Sequence, residues 1–315
     1  MEQVKVGIVG LGNVGNAAAY SLFQQRVATE LVLVDLDRRR AEGEAMDLMH
    51  GQAFVGRVRV QAGEAADLGG CRVVVVCAGV GQRPGETRLD LMGRNVDVFR
   101  SVAADLDRHA PDAVVVVATN PVDVLTYVLQ ELSSRPADRI IGTGTSLDSS
   151  RLRALVAEHL AVDPRSVHGY VLGEHGDSEV AVWSSATIGG APLLGELGGS
   201  DEAHVVLDDI AEQVRRAAAD IIDRKGFTNT AIGLVLANIV HSIVDDQRTV
   251  LPVSVRLAGE LGIDDVCLSV PCIVGADGVS TRMLPPLDDD ELAALRASAG
   301  ILRASLDELG SLDAG

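Results

Sequence analysis

The chain has 315 residues, of which 47% are apolar and 23% are charged, as expected for a folded globular protein. Its formal net charge of −18 is the wrong sign for capture of nucleic acid or of an anionic membrane, so we expect neither partner. Its apolar runs are shorter than half of the roughly 20 residues that a membrane helix needs. The first ten residues show no secretion signal, and the four cysteines lack the paired spacing of zinc sites. We therefore expect a cytoplasmic protein that binds no metal.

In the first half of the chain, short apolar segments alternate with helical patterns. The apolar segments contain almost no polar residues, as in parallel strands that helices cover on both faces. This pattern predicts an α/β fold, a doubly wound parallel sheet of the Rossmann type, over residues 1–143. The predicted strands are 4–10, 31–35, a segment near Val58, 73–77, 113–118 and 139–142, and the predicted helices are 13–25, 39–50 and 91–109.

The pattern changes at about residue 144. Helical and β-rich segments no longer alternate regularly, which predicts a separate α+β domain over residues 144–315. The predicted helices are 149–160, 202–225, 231–245 and 289–309, and the predicted β-rich segments are 167–172, 180–188 and 249–257.

A glycine-rich turn joins the first predicted strand to the first predicted helix. Its glycines permit a tight turn and a close approach of a pyrophosphate to the backbone and to the helix N-terminus. Such turns also occur without a ligand, so the motif alone is not specific. The residues of this glycine loop that we predict to contact a cofactor are Gly10, Gly12, Asn13, Val14 and Gly15.

Asp35 ends the second predicted strand, twenty residues after the last glycine of the loop. A carboxylate at this place accepts hydrogen bonds from an adenosine ribose, and its charge repels a 2′-phosphate, which favours NAD over NADP. Arg38, Arg39 and Arg40 follow closely and leave a weaker preference open. The glycine loop and Asp35 alone fit either an enzyme or a noncatalytic protein that binds the cofactor.

A histidine and a pair of charged residues distinguish these two classes. His175 lies in a glycine-containing turn directly after an apolar strand, although a single histidine is more often structural. Asp148 and Arg151 are three residues apart at the start of a helix, so their side chains share one face. An aspartate can fix the tautomer of an imidazole, and an arginine offers a planar fork to a carboxylate.

With these residues, the sequence resembles the L-lactate and malate dehydrogenase family. The resemblance extends over nearly the whole chain, and the order of its motifs is highly specific. It implies that NAD is the cofactor, that a 2-oxo acid is reduced by hydride transfer, and that residues 144–315 form the substrate and catalytic domain. The motifs are the glycine loop, Asp35, residues 82–88, 119–121, 147–151 and 173–177.

The resemblance also implies roles for individual residues. His175 would donate and accept the proton, and Asp148 would orient it. Arg151 would bind the substrate carboxylate through two parallel hydrogen bonds. Residues 82–88 would form a mobile lid, and Arg88 on that lid would polarise the substrate carbonyl.

Three further positions receive a role from the resemblance. Asn120, which the sequence alone presents as a turn former after a strand, would lie near the substrate and the nicotinamide ribose. Thr228 would line the pocket for the substrate side chain, and Ile232 would pack against the nicotinamide ring. The sequence departs from many relatives at Thr230, where they carry an aromatic residue, which leaves the packing of this pocket open.

The lid residue Gln82 favours pyruvate, and hence L-lactate, over oxaloacetate. Malate-forming members of the family commonly carry an arginine here, which compensates the second carboxylate of oxaloacetate. A neutral amide cannot do so, and burying an unpaired charge costs several kcal/mol as an order of magnitude. Glu86 in the same lid further disfavours a dianion. Malate dehydrogenase activity remains an alternative if the lid follows a different path that puts Arg83 at the position of Gln82.

Arg153 and His168 suggest a second site. Arg153 is two residues after Arg151, roughly 200° around the helix, and therefore points away from the active site. It is either an ordinary exposed arginine or part of an anion site. The resemblance extends to bacterial members of the family in which an arginine and a histidine at these positions bind fructose 1,6-bisphosphate in a tetramer. It therefore implies the same role for Arg153 and His168. We accordingly predict a homotetramer that this compound activates.

Overall fold

The structure is a computed structural model that describes residues 3–81, 85, 87–198 and 201–313. Its strands are β1 (Lys5–Val9), β2 (Glu30–Val34), β3 (Arg59–Ala62), β4 (Val73–Val76), β5 (Val114–Val117), β6 (Ile140–Gly142), β7 (Val167–Leu172), β8 (Val180–Ile188), β9 (Ala191–Pro192), β10 (Thr249–Ala258), β11 (Asp264–Gly275) and β12 (Gly278–Arg282). Its helices are α1 (Asn13–Gln25), α2 (Arg38–His50), α3 (Gln52–Val55), α4 (Arg88–His109), α5 (Val122–Leu132), α6 (Ser146–Leu160), α7 (Leu193–Glu196), α8 (Asp201–Lys225), α9 (Thr230–Val244) and α10 (Asp289–Asp313).

The first six strands form a parallel sheet in the order β6-β5-β4-β1-β2-β3. Every residue of β4 and β5 is buried, because helices cover both faces of the sheet. In β4, Val73 and Val75 belong to one hydrophobic core, whereas Val74 and Val76 belong to the core on the opposite face. The prediction of a doubly wound parallel sheet is therefore confirmed.

The second half extends this sheet and adds a smaller one. Strands β10, β11 and β12 pair antiparallel to one another, and β10 joins the edge of the parallel sheet where Ser254 pairs with Gly142 of β6. Strands β7, β8 and β9 form a separate antiparallel sheet. The mixed α+β character predicted for this half is confirmed.

Helix α9 packs directly on α1, the helix that follows the glycine loop. A Cβ added to Gly233 of α9 would lie 2.7 Å from the carbonyl oxygen of Ala17 in α1, so only glycine permits this approach. The contact brings the second half of the chain against the predicted cofactor-binding loop.

The structure differs from the prediction in several elements. Helix α4 begins at Arg88 rather than at residue 91, because Thr87 and Asp90 form a capping box that starts it earlier. Helix α5 and strands β11 and β12 were not among the predicted elements. Within the described ranges, no helix combines the length and apolar character needed to cross a membrane.

Candidate active site

Two glycines of the glycine loop occupy positions where a side chain does not fit. Gly10 has a φ of +91°, and a Cβ there would lie 2.5 Å from the backbone nitrogen of Ala78. A Cβ on Gly15 would lie 1.9 Å from the carbonyl oxygen of Gly10. These glycines allow the loop to pack tightly against the chain that leaves β4.

Gly12 is different, because a Cβ on it would meet no atom of the described chain within 4 Å. It is the N-cap residue of α1, and Asn13 and Val14 are the first residues of that helix. In the described part of the chain, no side chain caps this helix end, and its first turn holds no acidic residue. The free N–H groups and the open space above Gly12 fit the pyrophosphate of a dinucleotide.

Asp35 follows β2 and lies beside the glycine loop. Its Oδ2 accepts a hydrogen bond from the Leu11 N–H at 2.6 Å, and its Oδ1 accepts one from the Asp37 N–H at 2.8 Å. Each carboxylate oxygen has a second acceptor site, so the group can also receive a ribose hydroxyl. The residues present therefore fit the adenosine half of NAD.

The arginines after Asp35 are not arranged as a phosphate site. Arg38 forms ion pairs with Glu42 at 3.0 Å and with Glu64 at 2.7 Å. Arg39 and Arg40 are exposed on the first turn of α2. Because Arg38 is neutralised by two carboxylates, this cluster weakens the case for NADP.

The carboxyl ends of β1, β4 and β5 lie at one edge of the parallel sheet, and the residues that follow them come together there. The hydroxyl of Thr119, after β5, donates to the carbonyl oxygen of Ala78, after β4, at 2.8 Å. The next residue, Asn120, is exposed and precedes Pro121 through a cis peptide bond. Asn120 is thus at the sheet edge that also carries the glycine loop.

Asp148, Arg151 and His175 form what we call the catalytic cluster. Nδ1 of His175 lies 2.6 Å from Oδ2 of Asp148, and Nη1 of Arg151 donates to Oδ1 of the same carboxylate at 2.8 Å. Asp148 is only 2% exposed. Both cations approach the carboxylate because α6 displays Asp148 and Arg151 on one face, toward the turn between β7 and β8.

The cluster sets the charge of the imidazole. Burial opposes the positive charge on His175, but the hydrogen bond and the negative charge of Asp148 prevail and raise the pKa of His175 to about 9. Burial also opposes the charge of Asp148, and the hydrogen bond and charge of His175, followed by Arg151, lower the pKa of Asp148 below its ordinary value. The imidazole is therefore held protonated at neutral pH, with Nε2 as the nitrogen not directed at Asp148.

A buried acid that sequence reasoning missed connects the cluster to the sheet edge. Asp123, near the start of α5, accepts a hydrogen bond from the His175 backbone N–H through Oδ2 at 2.8 Å. Its Oδ1 and the hydroxyl of Ser254 are buried and make no hydrogen bond within the described ranges. Burial raises the pKa of Asp123 to about 6. A sequence signal was present, since Asp123 is an acid inside an apolar segment three residues after Asn120.

Glu179 is a second missed acid near the cluster. It is buried and directly precedes β8, at the end of the turn that carries His175. Burial, followed by the negative charge of Asp148, raises the pKa of Glu179 to about 8. Its contribution to the charge of His175 is smaller than that of Asp148. The available signal was an acid directly before a predicted strand.

The other predicted site residues are less closely tied to the cluster. Thr228 is half-buried in the loop between α8 and α9. Ile232 is half-buried on α9 and packs against the larger hydrophobic core. Arg88 is the first residue of α4, and its side chain lies outside the described part of the structure, as does the whole of Gln82.

Arg153 points toward β7 rather than toward the catalytic cluster. Its Nε donates to the carbonyl oxygen of Gly169 at 3.3 Å, and its guanidinium lies 5.7 Å from the ring centroid of Tyr170. His168 is exposed on the same strand, one residue before Gly169. The structure therefore brings Arg153 and His168 to one surface of the molecule.

Comparison with known proteins covers both halves of the chain. Residues 4–142 match the family model for the NAD-binding domain of lactate/malate dehydrogenase, and residues 145–312 match the model for its alpha/beta C-terminal domain. The L-lactate dehydrogenase of Salinibacter ruber is 58% identical, over 98% of this chain and 98% of its own length. That of Thermus aquaticus is 50% identical, over 98% of this chain and 100% of its own length.

Solved structures agree with this assignment. A lactate dehydrogenase from a Medee basin deep-sea metagenome library superposes with a TM-score of 0.95 at 40% identity, over 98% of this chain and 100% of its own. The minor L-lactate dehydrogenase of Enterococcus mundtii gives a TM-score of 0.94 at 44% identity, over 97% and 98% of the two chains. The chain therefore belongs to the lactate/malate dehydrogenase family.

Proposed function

We propose that the chain is an NAD-dependent L-lactate dehydrogenase that interconverts pyruvate and L-lactate. The observation that carries this proposal is the convergence of Asp148, Arg151 and His175, which Asp123 links to the sheet edge bearing the glycine loop. A noncatalytic cofactor-binding protein would have no need of a half-buried imidazole held protonated at that place. The names of the relatives that match over nearly their full length support the same activity.

In this proposal, His175 is the acid and base of the reaction. The glycine loop and Asp35 would hold NADH, which would supply the hydride for reduction of the pyruvate carbonyl. His175 donates the proton on Nε2 to the carbonyl oxygen, which becomes the hydroxyl of lactate. Asp148 holds Nδ1 at 2.6 Å, fixes the orientation of the ring and stabilises its charged form. In the reverse direction, neutral His175 takes the hydroxyl proton.

Arg151 is the proposed clamp for the substrate carboxylate. Its Nη1 is held by Asp148, and a guanidinium carries five donors, so further N–H groups can bind a carboxylate in two parallel bonds. Arg88 is proposed to polarise the carbonyl, while Asn120 and Thr228 contact the substrate and Gln82 faces its methyl group. The proposed cofactor contacts are the glycine loop, Asp35, Asn120 and Ile232.

The decisive experiment is to measure NADH oxidation with pyruvate and with oxaloacetate in parallel. We expect a much higher kcat/KM for pyruvate, and a preference for oxaloacetate would overturn the proposal. Replacing Gln82→Arg should raise turnover of oxaloacetate and lower that of pyruvate, because it adds a cation where the second carboxylate would lie. An unchanged ratio of kcat/KM for the two substrates would show that Gln82 does not contact the substrate.

We further propose that the chain forms a homotetramer. Several large apolar side chains are exposed on α1, α2, α3 and α9, which pack beside one another. Exposed apolar surface of this kind is typical of a subunit interface. Sedimentation equilibrium tests the state directly, and a monomer at all concentrations would contradict the proposal. These side chains are Tyr20, Met46, Met49, Phe54 and Leu234.

Arg153 and His168 are proposed to bind fructose 1,6-bisphosphate as an activator. Their position on one surface, away from the catalytic cluster, supports a separate anion site. Pyruvate saturation curves with and without the compound provide the test. We expect it to lower the half-saturating pyruvate concentration in the wild type and to have no effect in an Arg153→Gln variant. Identical wild-type curves would exclude activation.

A further inference from the structure

The turn that carries His175 is held on its far side by helix α10. The hydroxyl of Ser298 accepts a hydrogen bond from the Glu174 backbone N–H at 2.9 Å and lies 2.9 Å from the hydroxyl of Ser178. The Ser178 hydroxyl also donates to the carboxylate of Glu174. One buried hydroxyl therefore binds the turn both just before and three residues after His175.

The fit between this hydroxyl and the turn is close. Ser298 is fully buried on α10. Gly173 has a φ of +89°, and a Cβ on it would lie 2.8 Å from the Ser298 hydroxyl oxygen. The backbone at the start of the turn thus rests on Ser298. Together with Asp123, which accepts the His175 N–H, Ser298 fixes consecutive backbone amides of the turn.

Helix α10 is itself anchored on both sides of Ser298. Near its start, Glu291 accepts hydrogen bonds from the backbone N–H groups of Trp183 at 2.8 Å and Ser184 at 2.9 Å in β8. Farther along, Arg303 pairs with Asp265 of β11 at 3.1 Å. Ser298 lies between these anchors, so it presents a fixed support to the turn.

The same helix also lines a cleft of about 650 Å³ with α4 and α5. Its lining includes Leu306 and Leu309 of α10, Val96 of α4 and Val128 of α5. Helix α4 begins at Arg88, the last residue of the proposed lid.

We propose that Ser298 is a positioning residue for proton transfer by His175. Its hydroxyl holds the turn so that the imidazole keeps Nδ1 on Asp148 and presents Nε2 to the substrate. Ser298 acts through the backbone of the turn and touches neither substrate nor cofactor. This inference rests on the proposed lactate dehydrogenase function.

The test compares Ser298→Ala with the wild type and with Ser305→Ala. Ser305 is half-buried on the same helix, and its hydroxyl bonds only to the carbonyl oxygen of Ile301 at 3.2 Å within the described chain, so it controls for a general effect on α10. We expect Ser298→Ala to lower kcat for pyruvate by about tenfold, because a small misplacement of a reacting group slows the chemical step. Binding of NADH should be unchanged.

A kinetic isotope effect separates positioning from a structural role. NADH deuterated at the transferred position should give a larger isotope effect on kcat in Ser298→Ala than in the wild type, because the chemical step becomes more nearly rate-limiting. If Ser298 only supports folding, kcat should fall in proportion to the fraction of protein that still binds NADH. The isotope effect should then be unchanged. An unchanged kcat would also overturn the inference.

A second variant keeps the test decisive if Ser298→Ala does not fold. Ser178→Ala removes one partner of Ser298 and leaves the Glu174 N–H bond in place. We expect a smaller loss of kcat, of about threefold, with an isotope effect that rises in the same direction. Wild-type values in Ser178→Ala would then overturn the inference. If the wild type fails to reduce pyruvate, the proposed function fails instead, which is a separate result.

Discussion

The cofactor-binding edge and the catalytic cluster are neighbours, but they are built from different groups. The cofactor-binding edge consists of the glycine loop and Asp35. It uses backbone N–H groups, the absence of side chains and one half-buried carboxylate that is held by backbone. The catalytic cluster places two cationic side chains, Arg151 and His175, around the buried carboxylate of Asp148.

This difference determines which changes each region tolerates. At the glycine loop, an added methyl group is harmful where the backbone is in contact and harmless to the fold where it is not. In the catalytic cluster, the loss of one charge leaves its partner buried without compensation, which is costly. We therefore expect steric fit to decide which substitutions the cofactor-binding edge tolerates. In the catalytic cluster, we expect unpaired charge to decide it.

Replacing His175→Asn should have the largest effect, since it removes the proton donor. We expect kcat for pyruvate to fall by about 1,000-fold, within the range for general acid catalysis. The affinity for NADH should change little, because the cofactor-binding edge is built independently. Steady-state assays and a fluorescence titration with NADH measure the two quantities. His159→Asn, at an exposed position of α6, is the matched control. A kcat within tenfold of the wild type would exclude His175 as the acid.

Replacing Asp148→Asn should shift the pH dependence as well as the rate. With Asp148 present, the pKa of His175 is raised to about 9, so pyruvate reduction, which needs the protonated ring, should persist until the pH rises through that value. Without this charge the pKa should fall toward the ordinary value of 6.5, so activity should be lost at lower pH. We expect a loss of about 100-fold near neutral pH.

Profiles of kcat/KM against pH in both directions test this prediction. Lactate oxidation, which needs the neutral ring, should suffer less from the shift than pyruvate reduction. Asp163→Asn is a suitable control, because Asp163 is exposed and pairs with Arg165 rather than with a residue of the cluster. An alkaline limb at the same pH in Asp148→Asn and the wild type would show that Asp148 does not set the charge of His175.

The contrast also explains what the sequence could reveal. The parallel strands were predictable because their residues are apolar on both faces, as in Val73–Val76 of β4. The glycine loop was predictable because its backbone conformation depends on residues that are adjacent in sequence. The pairing of Asp148 with Arg151 follows from helical spacing. These features all depend on local patterns.

The remaining features depend on contacts between distant residues. The hydrogen bond between Asp123 and the His175 N–H joins residues 52 positions apart, and no helical or strand periodicity predicts it. The junction of β10 with β6, through Ser254 and Gly142, depends on which sheet edge is free after folding. Helix α5 was missed because its apolar run, which begins directly after Pro121, resembles a buried strand as much as a helix.

Two alanine substitutions in the glycine loop test whether space limits this region. Gly15→Ala should lower the free energy of unfolding by about 1–3 kcal/mol, because its Cβ would overlap the Gly10 carbonyl oxygen. Gly12→Ala should change it by less than about 0.5 kcal/mol, since the added methyl meets open space. That methyl should instead weaken NADH binding, because it occupies the space proposed for the pyrophosphate. Denaturant unfolding and NADH titration measure both effects. Wild-type NADH affinity in Gly12→Ala would place the pyrophosphate elsewhere.

Among the charged residues tested, Asp35→Asn should have the smallest effect on activity, because this carboxylate is half-buried and partly screened by solvent. The amide oxygen can still accept a backbone N–H, so the fold should be retained, but the charge that repels a 2′-phosphate is lost. We expect the ratio of kcat/KM for NADH over NADPH to fall by about tenfold, or ~1.4 kcal/mol. The ratio should not reverse, because Arg38 is already paired with Glu42 and Glu64 and is not available to a phosphate. A reversal would mean that a cation near Asp35, rather than the carboxylate, governs the choice of cofactor, and that charge is as important at the cofactor-binding edge as in the catalytic cluster.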